Sequence, residues 1–451
     1  MKVDKTPLEG WLLKKIKGGT AGGECLTPEM IRGYQLDKIR ETLDLAVRQS
    51  PFYGRRLKGW SGGDIAALED LTRLPFTTAE DIKENPLKFL CVSQDEISRV
   101  VTLQSSGTGG ESKRLYFTRE DQEHIIDFFH YGMACLVDPG DRVLILLPGR
   151  LPGSVGDLLR SGLERLGAVP VPHGPVTDPE ATLQVMRQEQ VDSLVGIPTQ
   201  VLALARCRED PGKPAAPRLK SMLLTTDHVP GSIAKILRRT WGCPVFNHYG
   251  MTEMGLGGAV ECRALAGYHL READLYFEII DPATGKTVPE GQYGEVVFTT
   301  LTRKGMPLLR YRTGDVSRFI PGPCPCGTVM RRLESVRGRL SGKVRLGGNV
   351  FITMADLDQA IFPLDGVLNF TAGVSREKET DCLRLEITAA DWAGPELAAR
   401  ARAAVESLPD IKRALESGAL KVEISSGREG DKFNTGTAKR TIKDLRNAGV
   451  N

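Results

Sequence analysis

The sequence predicts an α/β protein: a large N-terminal domain of mostly parallel sheets covered by helices, with a β-rich subdomain, and a small α+β C-terminal domain. Three observations predict it. Between residues 143 and 246, short apolar runs alternate with helical stretches, as in buried parallel strands joined by crossover helices. From 262 to 335 the pattern turns to alternating strands broken by Gly/Pro clusters. From about Gly342 a compact helix–strand set begins, of about a hundred residues. The boundaries are 1–338 for the large domain, with the β-rich part at 262–335, and 339–451 for the small one.

The elements follow in order. Residues 1–33 read as irregular and rich in Gly and Lys. Tyr34–Gln49 places Leu36, Ile39, Leu43 and Val47 at helical spacing. Leu74–Asp81 reads as a turn leading to a capped helix start. Arg99–Leu103 is a β-branched strand, and a helix begins near Thr118. Strands are predicted at Val143–Leu147, Ala168–Val171, Ser193–Ile197, Met222–Thr226 and Val245–Phe246. Helices are predicted between them at Gly156–Leu166, Thr182–Gln188, Thr199–Ala205 and Ser232–Arg239. Tyr276–Ile280 and Glu295–Thr300 form a hairpin-like pair across Asp281–Gly285. The last region holds helix Met354–Ile361, strand Leu383–Thr388, helix Pro395–Leu408 and strand Leu420–Ile424.

Composition narrows the function classes. A chain of 451 residues carrying 60 Lys+Arg and 57 Asp+Glu is nearly balanced, which argues against nucleic acid or an anionic membrane as partner. No apolar run approaches the roughly 20 residues of a membrane span, and Met1–Lys5 lacks a signal peptide's apolar core. Nine scattered cysteines, an odd number, do not form a disulfide framework. A reduced, cytoplasmic protein is expected; a homodimer is left open.

Four segments carry chemistry. Ser105-Ser106-Gly107-Thr108-Gly109-Gly110-Glu111-Ser112-Lys113 combines three glycines, four hydroxyls and a lysine, a composition that lets backbone N–H groups grip a polyphosphate. Ser112 stands where a Walker A loop has glycine. His248–Gly255 follows a strand: Tyr249 is placed to stack on a base, Thr252 to donate to a phosphate and Glu253 to hold Mg²⁺. Leu309–Asp315 ends in a carboxylate suited to a ribose diol, and Gly338-Arg339 lies where the large domain meets the small. Each segment alone is also consistent with a surface turn; the four in this order are not.

A separate set is Cys262, His269, Cys324 and Cys326. Three thiolates and one imidazole make a closed tetrahedral site for structural Zn²⁺, with no open position for catalysis.

Together these stretches resemble the adenylate-forming (acyl/aryl-CoA synthetase) superfamily, in its phenylacetate–CoA ligase-like branch. The matching segments are Leu74–Asp81 with Glu84-Asn85, the glycine loop, Tyr249–Glu253, Glu278–Pro282, Pro307–Asp315, Gly338-Arg339 and Gly348–Phe351. The resemblance runs from about residue 34 to the C-terminus. It implies ATP-dependent activation of a carboxylic acid to acyl-AMP, then thioester formation with coenzyme A, with Mg²⁺ as cofactor. It also implies that Ser105, Ser106, Gly107, Thr108, Gly109 and Lys113 hold the β- and γ-phosphates. Tyr249 and Gly250 would flank adenine, Thr252 the α-phosphate, Asp315 the ribose hydroxyls, and Arg339 ribose or phosphate. Glu253 would bind Mg²⁺. The branch has a similar structural metal cluster, and its small domain swings after the Gly-Arg pair.

The chain departs from the family in three places. The C-terminal Gly-Lys-x-x-Arg pattern is Gly436-Thr437-Ala438-Lys439-Arg440 here, so Thr437 stands at the catalytic lysine. Lys439 and Lys432 are the lysines beside it; spacing favours neither, and Lys439 is the catalytic candidate alongside Thr252 and Glu253. Ser341-Gly342 replaces an acidic pair at the hinge. Thr225-Thr226-Asp227 replaces a Gly-Ala/Ser-Glu segment on the adenine side. The acyl pocket is expected around Tyr131–Cys135, Leu147–Gly149, Gly196–Thr199, Asn247-His248 and Gly255–Gly258, with an aryl or short acyl acid as substrate. Two alternatives stand beside the acid–CoA ligase: an adenylating enzyme with a non-CoA acceptor, and a nucleotide-binding homologue that has lost adenylation through Thr437.

Overall fold

The computed structural model describes residues 4–19, 23–103, 112–208, 218–347, 350–428 and 439–446. They fall into two compact units, one of Met1–Gly140, Gly149–Ala168 and Phe246–Val336, the other of Asp141–Pro148, Val169–Val245 and Arg337–Asn451.

The first unit begins with a helix, not an irregular segment. Pro7–Ile16 is helical because Thr6 accepts from the Leu8 N–H and Pro7 occupies the first turn. Leu8, Trp11 and Leu12 fall at i, i+3 and i+4 and are buried. The surrounding glycines and lysines mask that short period. Helix Pro28–Gln49 starts earlier than predicted, capped by Thr27. Thr78 and Asp81 form the expected capping box for helix Ala79–Glu84. Arg119–Met133 is capped by Thr118 in the same way, and Trp11 stacks on its Tyr131 with ring centroids 5.7 Å apart.

Before that helix lies a strand the sequence reading missed. Lys113–Thr118 pairs antiparallel with Ile97–Leu103, from Leu103 opposite Lys113 to Ile97 opposite Thr118. The glycine loop therefore joins two antiparallel strands and does not lead straight into a helix. Its residues up to Glu111, including Ser105, Ser106, Gly107, Thr108 and Gly109, lie outside the described residues.

The β-rich part of this unit contains two antiparallel arrays. Leu275–Ile280, Gly294–Thr300 and Tyr311–Ser317 form consecutive antiparallel neighbours. The other array joins Val245–Tyr249 to Ala259–Glu261, that strand to Tyr268–Leu270, and the last to Arg332–Leu333.

The second unit holds the parallel strands. Val169–Pro172, Arg142–Ile145, Ser193–Gly196 and Ser221–Leu224 are neighbours in that order. The last two are buried at every position, as expected of strands covered on both faces. Helix Pro179–Gln188 joins Val169–Pro172 to Ser193–Gly196, Pro198–Arg208 joins Ser193–Gly196 to Ser221–Leu224, and Gly231–Trp241 follows the last strand. The same unit contains a second sheet, in the order Leu420–Arg428, Thr380–Ala389, Val367–Glu377 and Ile442–Asp444. One core runs through the unit, from Leu144 and Leu194 through Leu202 and Ile233 to Phe362, Phe370 and Leu385. Val367–Glu377 and helix Pro409–Glu416 are additions to the predicted element set.

Arg206 is fully buried in this unit. Its guanidinium donates to the Phe362 and Leu364 carbonyls at 3.3 and 3.1 Å, closing the end of helix Met354–Ile361.

Candidate active site

Glu253 sits in the turn Thr252–Met254, just after strand Val245–Tyr249. The chain doubles back so tightly there that a Cβ on Gly250 would lie 2.3 Å from the Leu256 carbonyl oxygen; only glycine fits. The turn buries Glu253, whose Oε1 accepts from the Tyr311 hydroxyl at 3.1 Å and pairs with Lys113 Nζ. Lys113 Nζ also donates to the Tyr311 oxygen at 3.3 Å. Burial pushes the Glu253 carboxyl up, but the Lys113 charge and the hydrogen bonds outweigh it and hold it below the usual carboxylate range.

Tyr311, Thr313 and Asp315 alternate along one strand and are all buried, while Arg312 and Gly314 between them are less so. Asp315 is 1% exposed. Its Oδ2 accepts from the Tyr249 hydroxyl at 2.9 Å, and its own N–H donates to Thr313 Oγ1 at 3.0 Å. Thr313 Oγ1 in turn donates to the Val296 carbonyl. The Tyr249 ring lies 6.2 Å from that of Tyr268, nearly parallel to it.

Lys113, Tyr249, Gly250, Thr252, Glu253 and Asp315 thus belong to one unit, with Lys113 joined to Glu253 and Tyr249 to Asp315. Tyr311 was missed as a functional residue, although strand alternation with Asp315 already put it on the same face. Arg303 donates to the Glu253 carbonyl at 2.8 Å, and nothing in its sequence context marks it. Arg339 is exposed at the start of the second unit's last segment. Lys439 is exposed as well, while Thr437 and Lys432 lie outside the described residues.

The departure at Thr225–Asp227 has a partner. Thr226 adopts a positive φ of 78°, and Asp227 Oδ2 accepts from the Arg440 main-chain and Nε donors at 3.4 and 3.3 Å. Arg440 also makes a bidentate pair with Asp358 at 2.8 and 2.9 Å. Asp227 therefore serves as an anchor for the segment that follows Thr437.

His248, assigned by sequence either to the acyl pocket or to a turn, lies 6.1 Å from the Phe128 ring. A Cβ on Gly257 would lie 3.0 Å from its Nε2. Burial, with Arg271 nearby, pulls the imidazole down to about 4, so it is neutral at physiological pH. Gly255 also lines a half-open cavity of about 20 Å³ with Ile125, Met254, Arg271 and Arg303.

The cysteine set converges. The ligand atoms of Cys262, His269, Cys324 and Cys326 all lie within 4.8 Å of one another, and all four residues are buried. Cys262 and Cys324 sulfurs are 3.8 Å apart, close to the roughly 3.7 Å edge that a tetrahedron with zinc–sulfur bonds implies. Gly327 N–H donates to the Cys324 carbonyl at 2.8 Å, closing the knuckle. Arg332 donates to the Ala266, Gly322 and Pro323 carbonyls and ties both ligand loops together. Burial works against a charged His269, but the thiols around it push it up to about 11. Three sulfurs and one imidazole nitrogen suit a thiophilic cation.

These features define an adenylate-forming fold, and known proteins agree. The chain matches a 2-hydroxyisobutyryl-CoA ligase structure in the postadenylation state with TM-score 0.77 at 22% identity, covering 93% of this chain and 90% of the other. A family model described as "AMP-binding enzyme" matches residues 72–301. Phenylacetate–coenzyme A ligase of Pseudomonas putida is 32% identical over 343 residues, 74% of this chain and 76% of the relative. The Thermus thermophilus protein of the same name is 30% identical over 377 residues, 81% of this chain and 82% of the relative. The chain belongs to the AMP-binding enzyme family.

Proposed function

We propose that this protein is an AMP-forming acid–CoA ligase that activates an aryl or short-chain carboxylic acid. The observation that carries the reading is the pairing of two predicted nucleotide-site couples in one unit, Lys113 with Glu253 and Tyr249 with Asp315. The relatives named for phenylacetate and CoA support the substrate class.

In this reading Tyr249 offers its ring to adenine and Asp315 accepts from ribose hydroxyls. The glycine loop and Lys113 hold the β- and γ-phosphates, and Thr252 donates to the α-phosphate. A carboxylate oxygen of the acid attacks the α-phosphorus, pyrophosphate leaves, and a thiol then displaces AMP from the acyl carbon. Glu253 fits a magnesium ion, being an ionised, buried carboxylate that already draws the cation of Lys113 to it. The metal would neutralise phosphate charge as pyrophosphate leaves. Lys113, which pairs with Glu253, would supply a second positive charge to the same phosphates. Arg339 and Lys439 are the further basic groups, Lys439 taking the part of the lysine that Thr437 replaces.

The cage of Cys262, His269, Cys324 and Cys326 would hold a structural zinc ion, which staples two loops of the β-rich part and has no part in the reaction.

Product analysis with ATP, CoA and a panel of aryl and short-chain acids tests the acceptor. An acyl-CoA thioester, AMP and pyrophosphate in equal amounts are expected. Acyl-AMP without thioester would transfer the reading to a different acceptor.

A further inference from the structure

We infer that Arg303 is a positioning residue for the Glu253 carboxylate, acting through the Glu253 main chain; this rests on the reading of Glu253 as the magnesium ligand. Arg303 is 7% exposed. Its Nη1 donates to the Glu253 carbonyl at 2.8 Å and its Nη2 to the Tyr116 carbonyl at 3.3 Å. Its guanidinium carbon lies 4.2 Å from the Phe117 ring centroid. Tyr116 follows Lys113 on the same strand, and Glu253 is the residue that Lys113 meets. One guanidinium therefore holds the main chains behind both members of the ion pair.

The cost of this arrangement points to a function. Among the described residues its hydrogen-bond acceptors are these two carbonyls, and Nε has none. A buried cation without a bonded carboxylate is destabilising compared with an apolar side chain. What it supplies is a planar fork that spans two carbonyls at once, which lysine cannot reproduce. With its peptide pinned, the Glu253 carboxylate keeps one position relative to Tyr311 and Lys113, the position from which it would meet a metal ion. Arg303 also lines a half-open cavity of about 20 Å³, so truncation to alanine would enlarge a space that free guanidinium ion can refill.

The test uses the full-length protein and measures Kd for ATP with Mg²⁺ and for ATP in EDTA. Arg303→Ala and Arg303→Lys should lose about 10- to 100-fold in Mg²⁺–ATP affinity, the range for residues that orient a metal ligand. Their affinity for metal-free ATP should stay near wild type. The Mg²⁺ concentration for half-maximal activity should rise by the same factor while KM for the acid holds, and guanidinium should rescue Arg303→Ala but not Arg303→Lys. Arg206→Met, at a buried arginine held by the Phe362 and Leu364 carbonyls and by Asp365, should lower Tm without changing Mg²⁺–ATP affinity. If the folded Arg303→Lys protein binds Mg²⁺–ATP like wild type, or guanidinium gives no rescue, the inference is overturned. Glu253→Gln separates the two claims: if it too binds Mg²⁺–ATP like wild type, the magnesium reading itself falls.

Discussion

Tyr249 and Asp315 are bonded to each other: the phenol donates to the buried carboxylate at 2.9 Å from a strand 66 residues earlier in the chain. The residues proposed for the base and for the ribose are thus one unit with a fixed spacing. Tyr249→Phe keeps the ring and removes the donor. It should cost about 1–2 kcal/mol of stability in urea unfolding and raise KM for ATP more than KM for the acid. Unchanged KM for ATP would mean that the bond serves packing alone.

The Arg310–Glu278 pair holds the strand that carries Tyr311 and Asp315. It is bidentate, at 3.1 and 2.9 Å, with both side chains buried, and Arg310 also donates to the Thr72 and Leu74 carbonyls. Glu278→Ala leaves a buried guanidinium short of its counter-charge. Denaturant unfolding should show a loss of about 3–5 kcal/mol; a loss under 1 kcal/mol, the ~0–1 kcal/mol worth of a surface pair, would contradict the pair's structural weight.

His248 gives a pH signature. Its folded pKa of about 4 lies below the ordinary 6.5, so the unfolded chain takes up a proton that the folded one refuses. Its contribution is intact above pH 6.5 and is lost as pH falls toward 4, by about 3 kcal/mol at full titration. His248→Gln should lose less stability than wild type between pH 7 and 4.5. Parallel stability curves for the two proteins would rule the imidazole out.

The cysteine cage should carry about one zinc per chain by elemental analysis. Chelation or Cys324→Ser should lower Tm, because metal binding is coupled to folding. The residual folded protein should keep its affinity for ATP. Metal-free protein with wild-type stability would contradict a structural ion.

The family, the fold class and the alternation of parallel strands with helices were legible because period, turn chemistry and motif spacing are local signals; the order of the strands, with Arg142–Ile145 between Val169–Pro172 and Ser193–Gly196, is a non-local pairing that no local signal carries. The four metal-ligand candidates were legible too, since Cys324 and Cys326 bracket a tight turn and His269 sits in a short strand. The helix at Pro7–Ile16 was obscured because its apolar positions Leu8, Trp11, Leu12 and Leu13 span little more than one turn among lysines and glycines and make a weak period. Lys113–Thr118 was hidden because its first residues, Lys113 and Arg114, read as loop charge while in fact they pair with Leu103 and Thr102. Arg303 was not legible at all: its acceptors are main-chain carbonyls 50 and 187 positions away in sequence, and backbone partners leave no mark in residue identity. Asp227 looked like a loss from the family pattern, and only its bond to Arg440 gives it a role.

The central claim is that this chain activates a carboxylate at the α-phosphate of ATP, with Glu253 holding the metal. The measurement is acid-dependent exchange of labelled pyrophosphate into ATP, over aryl and short-chain acids, for wild type and Glu253→Gln. Exchange should appear with at least one acid in the presence of Mg²⁺ and fall by about 10²-fold or more in the variant, as when a group stabilising transition-state charge is removed, with the variant's Tm near wild type. ATP binding without exchange for any acid, or full exchange in Glu253→Gln, would contradict it.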